Sequence, residues 1–203
     1  MKIIETRQAP NPRRVRIFLA EKGIEIEYEE ISIMTGEQRS DAFTAINPMQ
    51  RVPVLVLDDG TAIAETVAIC RYFEEQQPKP ALMGEGALGR ATVEMWQRRM
   101  ESDLLWTVGN KFRHTNPRAL VLEDPQIAQW GEVNEGRVMD FLKILDAQLA
   151  DRPFVAGDNY SIADITGLCA IDFMNPAQIE LPPEHTNVAR WYGELAARPS
   201  AQA

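Results

Sequence analysis

Near Gln77 the periodicity of the chain changes, and that change limits what the chain can fold into. Before it, short segments alternating at period two are interleaved with segments at helical spacing; after Pro78 and Pro80 only helical spacing is found. The 203 residues are therefore read as two domains of different class. Residues 1–77 form an α/β unit, 78–85 a linker in which the prolines stop the preceding helix, and 86–203 an all-helical bundle. In the first part "KIIE" is a predicted strand, and "PRRVRIFLAEKG" a helix carrying Val15, Phe18, Leu19 and Lys22 on one face and stopped by Gly23. "IEIEYEEISI" alternates as a half-exposed strand, and "QRSDAFTAI" is a short helix. "VPVLVLDDGTAIA" is a hairpin turning at Asp59-Gly60, and "ETVAICRYFEEQ" a closing helix. The order βαβ–α–ββα predicts a small sheet with helices packed on it. In the second part "GRATVEMWQRRMESDLLWTVGNKF" and "QIAQWGEVNEGRVMDFLKILDAQLA" are long helices, followed by shorter ones over "SIADITGLCAIDFM" and "NVARWYGELAARPS".

Charge and cysteine content exclude several functions. A net charge of −9 opposes nonspecific binding to nucleic acid or an anionic membrane, because neutralising phosphates needs a basic surface. The start, "MKIIETRQAP", has no signal-peptide core and no apolar run reaches bilayer length, so a cytoplasmic chain is expected. Cys70 and Cys169 each sit in an apolar helical pattern and form no C-x-x-C pair, which makes them structural thiols rather than a redox centre. His114 and His185 lack ligand spacing, so no metal is expected.

Three short stretches carry local signals. In "VPVL", Pro53 stands where a strand begins and a missing N–H is tolerated; a cis Val52–Pro53 bond would turn the backbone of Val52 outward, and the sequence leaves cis or trans open. "NYSIADI" is a capping-box pattern, Ser161 three residues before Asp164, worth about 1 kcal/mol as a helix start. "APNP" (Ala9 to Pro12) is a stiff turn ahead of a helix whose N-terminus suits an anion, yet it holds no Cys, Ser or Tyr.

"APNPRRVRIFLAEKGI", "NPMQRVPVLVLDDGTAIAETVAICRYFEE" and "PFVAGDNYSIADI", in this order and spacing, resemble the cytosolic glutathione S-transferase family along nearly the whole chain. The resemblance implies a thioredoxin-like N-terminal domain, an all-helical C-terminal domain, a homodimer, a cis Pro53, and glutathione as co-substrate. It places Val52 where a backbone N–H and C=O pair with the cysteinyl part of glutathione, like an added strand. Glu65 and Thr66 match the acidic–hydroxyl pair for the γ-glutamyl end, although relatives more often have Ser at the second place; the alternative for "AET" is a plain capped helix start. Arg51, and less directly Gln38, match residues facing the glycyl end. In the helical half Trp106, Asn110, Phe112 and His114 fall near the pocket for the second substrate, while most of Met95, Trp96, Met100, Leu104 and Trp106 are expected to be core. Arg98 and Arg99 are read as solvated helix pairs.

The turn itself departs from the family. Relatives place Ser at the position of Ala9, or Tyr or Cys nearby, and Ala9 has no hydroxyl to give. Asn11 has an amide N–H, and some bacterial and fungal relatives carry "T-P-N" here; Asn11 is thus either the catalytic donor to the glutathione thiolate or an N-cap that never meets substrate. Two functions remain open on the sequence. One is a transferase that activates glutathione against a small hydrophobic electrophile, with glutathione-dependent peroxide or disulfide reduction as variants of that chemistry. The other is a non-catalytic dimerisation or partner-docking module.

Overall fold

The computed structural model describes all residues from Met1 to Ala203, which divide into one unit of Met1–Pro80 with Gln202–Ala203 and a second of Ala81–Ala201. In the first unit β1 (Lys2–Glu5) leads into α1 (Pro10–Lys22), then β2 (Glu27–Glu30), α2 (Asp41–Ile46), β3 (Val54–Val56), β4 (Ala62–Ala64) and α3 (Thr66–Gln76). The four strands order as β2-β1-β3-β4. β2 runs parallel to β1, and β3 is antiparallel to both β1 and β4. Consecutive strand residues Ile3–Ile4 and Val54–Leu55 are buried, so both faces of the sheet are covered: Ile4 and Val54 cluster with Phe43 of α2, and Val15, Ile17, Phe18, Leu19, Ile69, Cys70 and Phe73 are buried on α1 and α3.

Two expectations for this unit are corrected. The alternation in "IEIEYEEISI" yields a strand of four residues, all exposed, because β2 is an edge strand pairing only with β1. The segment "QRSDAFTAI" splits into a 3₁₀ turn (Glu37–Arg39) and α2, with the Ser40 hydroxyl capping α2 by accepting from the Phe43 N–H. Three peptide bonds are cis: Val52–Pro53, Lys79–Pro80 and Asp124–Pro125. α1 ends as its sequence indicates, with Gly23 left-handed at φ 65°. Lys22, buried despite its charge, is satisfied by Glu74 at 2.7 Å and by the carbonyls of Gln77 and Pro80.

The second unit contains α4 (Gly86–Arg99), α5 (Trp106–Thr115), α6 (Ala128–Leu149), α7 (Ile162–Met174) and α8 (Thr186–Ala196). A π-helical stretch, Met100–Leu105, joins α4 to α5, so the long helix read over this region is continuous but locally widened. Trp96, Met100 and Leu104 are buried, whereas Met95 and Trp106 are exposed. Arg98 pairs with Glu94 at 3.0 Å on the surface, as an i,i+4 pair should, but Arg99 lies over the Trp96 ring at 4.7 Å. α7 is buried nearly all round; a Cβ on Gly167 would meet the Trp191 ring at 2.5 Å, so glycine is what lets α8 approach. The helices include none long and apolar enough to cross a membrane.

The start of α7 is more than a cap. Ser161 and Asp164 form the expected capping box. The Asp164 carboxylate also accepts from the Val155 N–H at 3.0 Å and from the Trp191 indole N–H at 3.0 Å. One fully buried side chain therefore ties the α6–α7 connection, α7 and α8 together, and burial pushes its carboxyl up to about 6 against the pull of those donors.

Candidate functional site

Strand register assembles the site in the first unit. Ile4 of β1 lies opposite Val54 of β3, which lies opposite Ala64 of β4. The exit of β1 toward Ala9 and Asn11, the start of β3 at Val52–Pro53, and the exit of β4 toward Glu65 and Thr66 thus share one end of the sheet, across about 10 Å of three adjacent strands. β2 is parallel to β1 and leaves at that same end, where Ile31 N–H donates to the Glu5 carbonyl and the Thr6 hydroxyl to the Ile31 carbonyl. The segment carrying Gln38 starts there.

At the first of these exits α1 begins at Pro10, with Ala9 as its N-cap in extended conformation and no side chain capping it. Two expectations change. The helix starts two residues before Pro12, and Asn11 lies inside the first turn rather than at the cap. Pro10 and Pro12 have no N–H, so Asn11 holds the only backbone N–H among the first three helical residues. Its side-chain oxygen accepts from Arg14 Nη1 at 3.0 Å. Since a guanidinium only donates, the atom facing it is the carbonyl oxygen, and the amide NH₂ is the branch left over.

The turn is braced from beneath. The Arg16 guanidinium, 6% exposed, donates to the Glu5 carboxylate at 2.6 Å and to the Arg7 carbonyl at 2.6 Å. The Arg7 N–H in turn donates to Glu30 on β2, and Ala9 N–H to the Thr6 carbonyl at 2.9 Å. Burial raises the Glu5 carboxyl above the usual carboxylate range, with Arg16 opposing the rise.

Glu65 departs from ordinary backbone geometry. It stands at the N-cap position of α3 with φ 72° and ψ 123°, and its side chain makes no capping hydrogen bond. Glu65 thus stands at the start of α3 without capping it through its side chain. A non-glycine residue held at such a φ costs on the order of 1–3 kcal/mol, a cost found mostly at functional sites. Thr66, the first residue of α3, is buried. Val52 is half-buried and Arg51 exposed. Asn47, which sequence reading passed over, fixes the loop before them: it is 4% exposed, donates to the Arg51 carbonyl at 2.8 Å and accepts from the Met49 N–H at 3.1 Å. Its signal in the sequence was the turn pair "NP", which does not reveal an amide aimed inward. Gln38 is 5% exposed, and its side-chain carbonyl oxygen is buried with no hydrogen-bond partner. An uncapped helix start and a strained acidic residue thus stand at one sheet end, and the segment that follows β2 carries an orphaned buried acceptor.

In the second unit the four residues named for the second substrate do not act alike. Trp106, Asn110 and His114 recur every four residues along α5, and Trp106 is 51% exposed. Asn110 donates weakly to Asn134 at 3.4 Å, and His114 Nδ1 accepts from the Ile127 N–H at 3.0 Å. Phe112 points elsewhere, with its ring 5.1 Å from that of Phe173 on α7. An open depression of about 650 Å³ lies along α4, α5 and α6, lined by residues including Arg99, Asp103, Arg137 and Ile144. It contains none of the four.

The chain is similar to known proteins along its length. Residues 9–76 match the family model "Glutathione S-transferase, N-terminal domain" and residues 117–199 "Glutathione S-transferase, C-terminal domain". Glutathione S-transferase 2 of Saccharomyces cerevisiae is 35% identical over 205 residues, covering 100% of this chain and 88% of the yeast protein. The crystal structure of yeast Gtt2 superposes with a TM-score of 0.94 at 35% identity, covering 100% of this chain and 99% of that one. A glutathione S-transferase domain-containing protein from Marinobacter aquaeolei VT8 gives 0.95 at 38% identity, covering 98% and 99%. A class Gtt2 transferase of Vibrio parahaemolyticus gives 0.88 at 38%, covering 100% and 96%. With similarity running along the whole of both units, the thioredoxin-like sheet and the helical domain are those of one family, and this chain belongs to it as a Gtt2-like glutathione S-transferase.

Proposed function

We propose that glutathione binds across the sheet end formed by Ala9–Asn11, Val52–Pro53 and Glu65–Thr66, and that Asn11 holds its sulfur as a thiolate. Glutathione supplies the nucleophilic thiol; everything else is done by residues of this chain. The Val52 backbone pairs with the cysteinyl part, Glu65 accepts from the γ-glutamyl ammonium, and Thr66 at the start of α3 donates to the neighbouring carboxylate. Arg51 suits the glycyl carboxylate, and the unpaired acceptor of Gln38 suits an N–H at that same end. Ala9 lines the sulfur without donating to it.

The observation that carries this reading is the uncapped first turn of α1, whose donors are the backbone and side-chain N–H groups of Asn11. A free thiol near pKa 8.5 is only a few per cent ionised at neutral pH, and each unit of lowering is about 1.4 kcal/mol of preference for the thiolate. A helix N-terminus gives roughly 0.3–1 kcal/mol, and a hydrogen bond to a charged group about 1.5–3 kcal/mol. Together they bring the thiol pKa near or below neutrality. The electrophile meets the helical unit, where Trp106 is the most exposed of the four named residues. Asn110 and His114 follow it at four-residue spacing along α5, and Phe112, half-buried, keeps its ring against Phe173. Peroxide and disulfide reduction start from the same thiolate. The working protein is read as a cytoplasmic homodimer.

The test is direct. Asn11→Ala should retain the fold and its affinity for glutathione while raising the pKa of the bound thiol, read from thiolate absorbance against pH, and lowering turnover by roughly 10²–10³ where the amide is the main donor. Unchanged thiol pKa and turnover would refute the role. A panel of electrophiles, peroxides and disulfides then assigns the reaction.

A further inference from the structure

Arg14 is the residue behind that amide. It is 1% exposed, among the largest fully buried side chains of the protein, and it belongs to the first turns of α1. Its Nη1 donates to Asn11 Oδ1 at 3.0 Å across three residues of helix, while Asn11 itself is exposed. An exposed asparagine at the second position of a helix is ordinarily free to turn its amide either way, presenting an acceptor or a donor to whatever lies outside. An acceptor facing a thiolate repels it. Arg14 removes the choice: a guanidinium has five N–H groups and no lone pair, so the oxygen is held inward and the NH₂ is presented outward. Being always charged and desolvated, the guanidinium also draws electron density from the amide through its oxygen, which strengthens the N–H groups as donors.

We propose that Arg14 is a positioning residue for the glutathione thiolate, acting through Asn11 by fixing the amide's orientation and polarising it. The inference rests on the reading that Asn11 meets the sulfur. It goes beyond that reading by assigning a function to a buried cation with no place in the glutathione-binding pattern.

The experiment is a double-mutant cycle on the full chain with bound glutathione, reading thiol pKa from thiolate absorbance together with kcat and KM. Asn11→Ala should raise the thiol pKa by about one unit or more, a tenfold loss of thiolate at a pH well below it. Arg14→Gln should raise the pKa and lower kcat, with KM for glutathione little changed. The double variant should be no worse than Asn11→Ala alone. Additive effects, with Arg14→Gln moving the pKa equally in both backgrounds, would overturn the proposal, because Arg14 would then act on the sulfur independently of Asn11. No pKa change in Asn11→Ala would instead overturn the underlying reading.

A second variant does not depend on burying a new side chain at position 14. Asn11→Asp keeps an acceptor for Arg14 but puts an oxygen where the NH₂ stood, on an exposed helix start where an acid is tolerated. It should raise the thiol pKa more than Asn11→Ala does, at unchanged or higher thermal stability. Equal pKa values in Asn11→Asp and Asn11→Ala would show that the branch opposite Arg14 does not face the sulfur, and would overturn the proposal as well.

Discussion

Replacing Asp164 should unfold more of this protein than the loss of a helix cap can explain. Its carboxylate accepts four hydrogen bonds: from Val155 N–H and Trp191 Nε1–H on one oxygen, and from Ser161 N–H and Ser161 Oγ on the other, all between 2.9 and 3.0 Å. Asp164, Val155 and Trp191 are 0% exposed and Ser161 1%, so water does not replace the lost acceptor. In Asp164→Ala the serine hydroxyl can rotate, but three N–H groups are left without a partner. At about 1–3 kcal/mol each, and with some relaxation, the cost is about 4 kcal/mol, a large part of the 5–15 kcal/mol typical of a whole domain. A cap alone would cost about 1 kcal/mol. Urea unfolding followed by tryptophan fluorescence should show a midpoint lower by roughly 2 M at a slope of about 2 kcal/mol/M. Asp164→Asn should be nearly as damaging, because an NH₂ group then faces two donors. The carboxyl, raised by burial to about 6 from an ordinary 3.8, also fixes the sign of a pH effect. Between those values the unfolded chain has lost the proton and the folded chain still binds it. Stability relative to Asp164→Asn is therefore greatest below pH 4, falls by roughly 3 kcal/mol as pH rises through about 6, and is flat above. A loss of 1 kcal/mol or less in Asp164→Ala, or a stability difference rising with pH over that window, would refute the reasoning.

Three other variants separate binding from stability. Glu65→Gly should gain about 1 kcal/mol by relieving the strained backbone at φ 72° yet bind glutathione at least tenfold more weakly by calorimetry; full affinity would remove Glu65 from the site. Gln38→Met deletes a buried acceptor that has no partner, so thermal stability should hold or rise by about 1 kcal/mol while retention on immobilised glutathione falls. Retention as strong as before would mean the acceptor serves no ligand. Cys70 and Cys169 are both buried, and replacing both by Ala should cost about 1–2 kcal/mol of stability with glutathione-dependent turnover kept; a dead but folded and glutathione-binding variant would point to a cysteine mechanism.

Local patterns made much of the fold legible. Helical spacing from Val15 to Lys22 with Gly23 behind it, the hairpin at Asp59-Gly60 and the Ser161–Asp164 box each use residues a few positions apart, and short-range sterics and hydrogen bonding decide such features before any packing occurs. The boundary between a strand-and-helix half and an all-helical half is of the same kind, because it is a change of periodicity. β2 was overestimated for the opposite reason: its alternation says that one face differs from the other, whereas its edge position, with every residue exposed, depends on which strands pair.

The sequence by itself determined the candidates: its resemblance to the family is what nominates Val52, Pro53, Glu65 and Thr66 for the proposed glutathione site. Only the tertiary structure decided how they meet and what supports them. The Ile4–Val54–Ala64 register brings three distant segments to one sheet end. The identity of the helix cap, Ala9 rather than Asn11, follows from the backbone path of the turn. The burial that leaves the Gln38 oxygen unpaired and the reach of Trp191 to Asp164 across 27 residues depend on packing between segments that local spacing does not bring together. A buried polar group is defined by what surrounds it, and what surrounds it is set by long-range packing that no local spacing records.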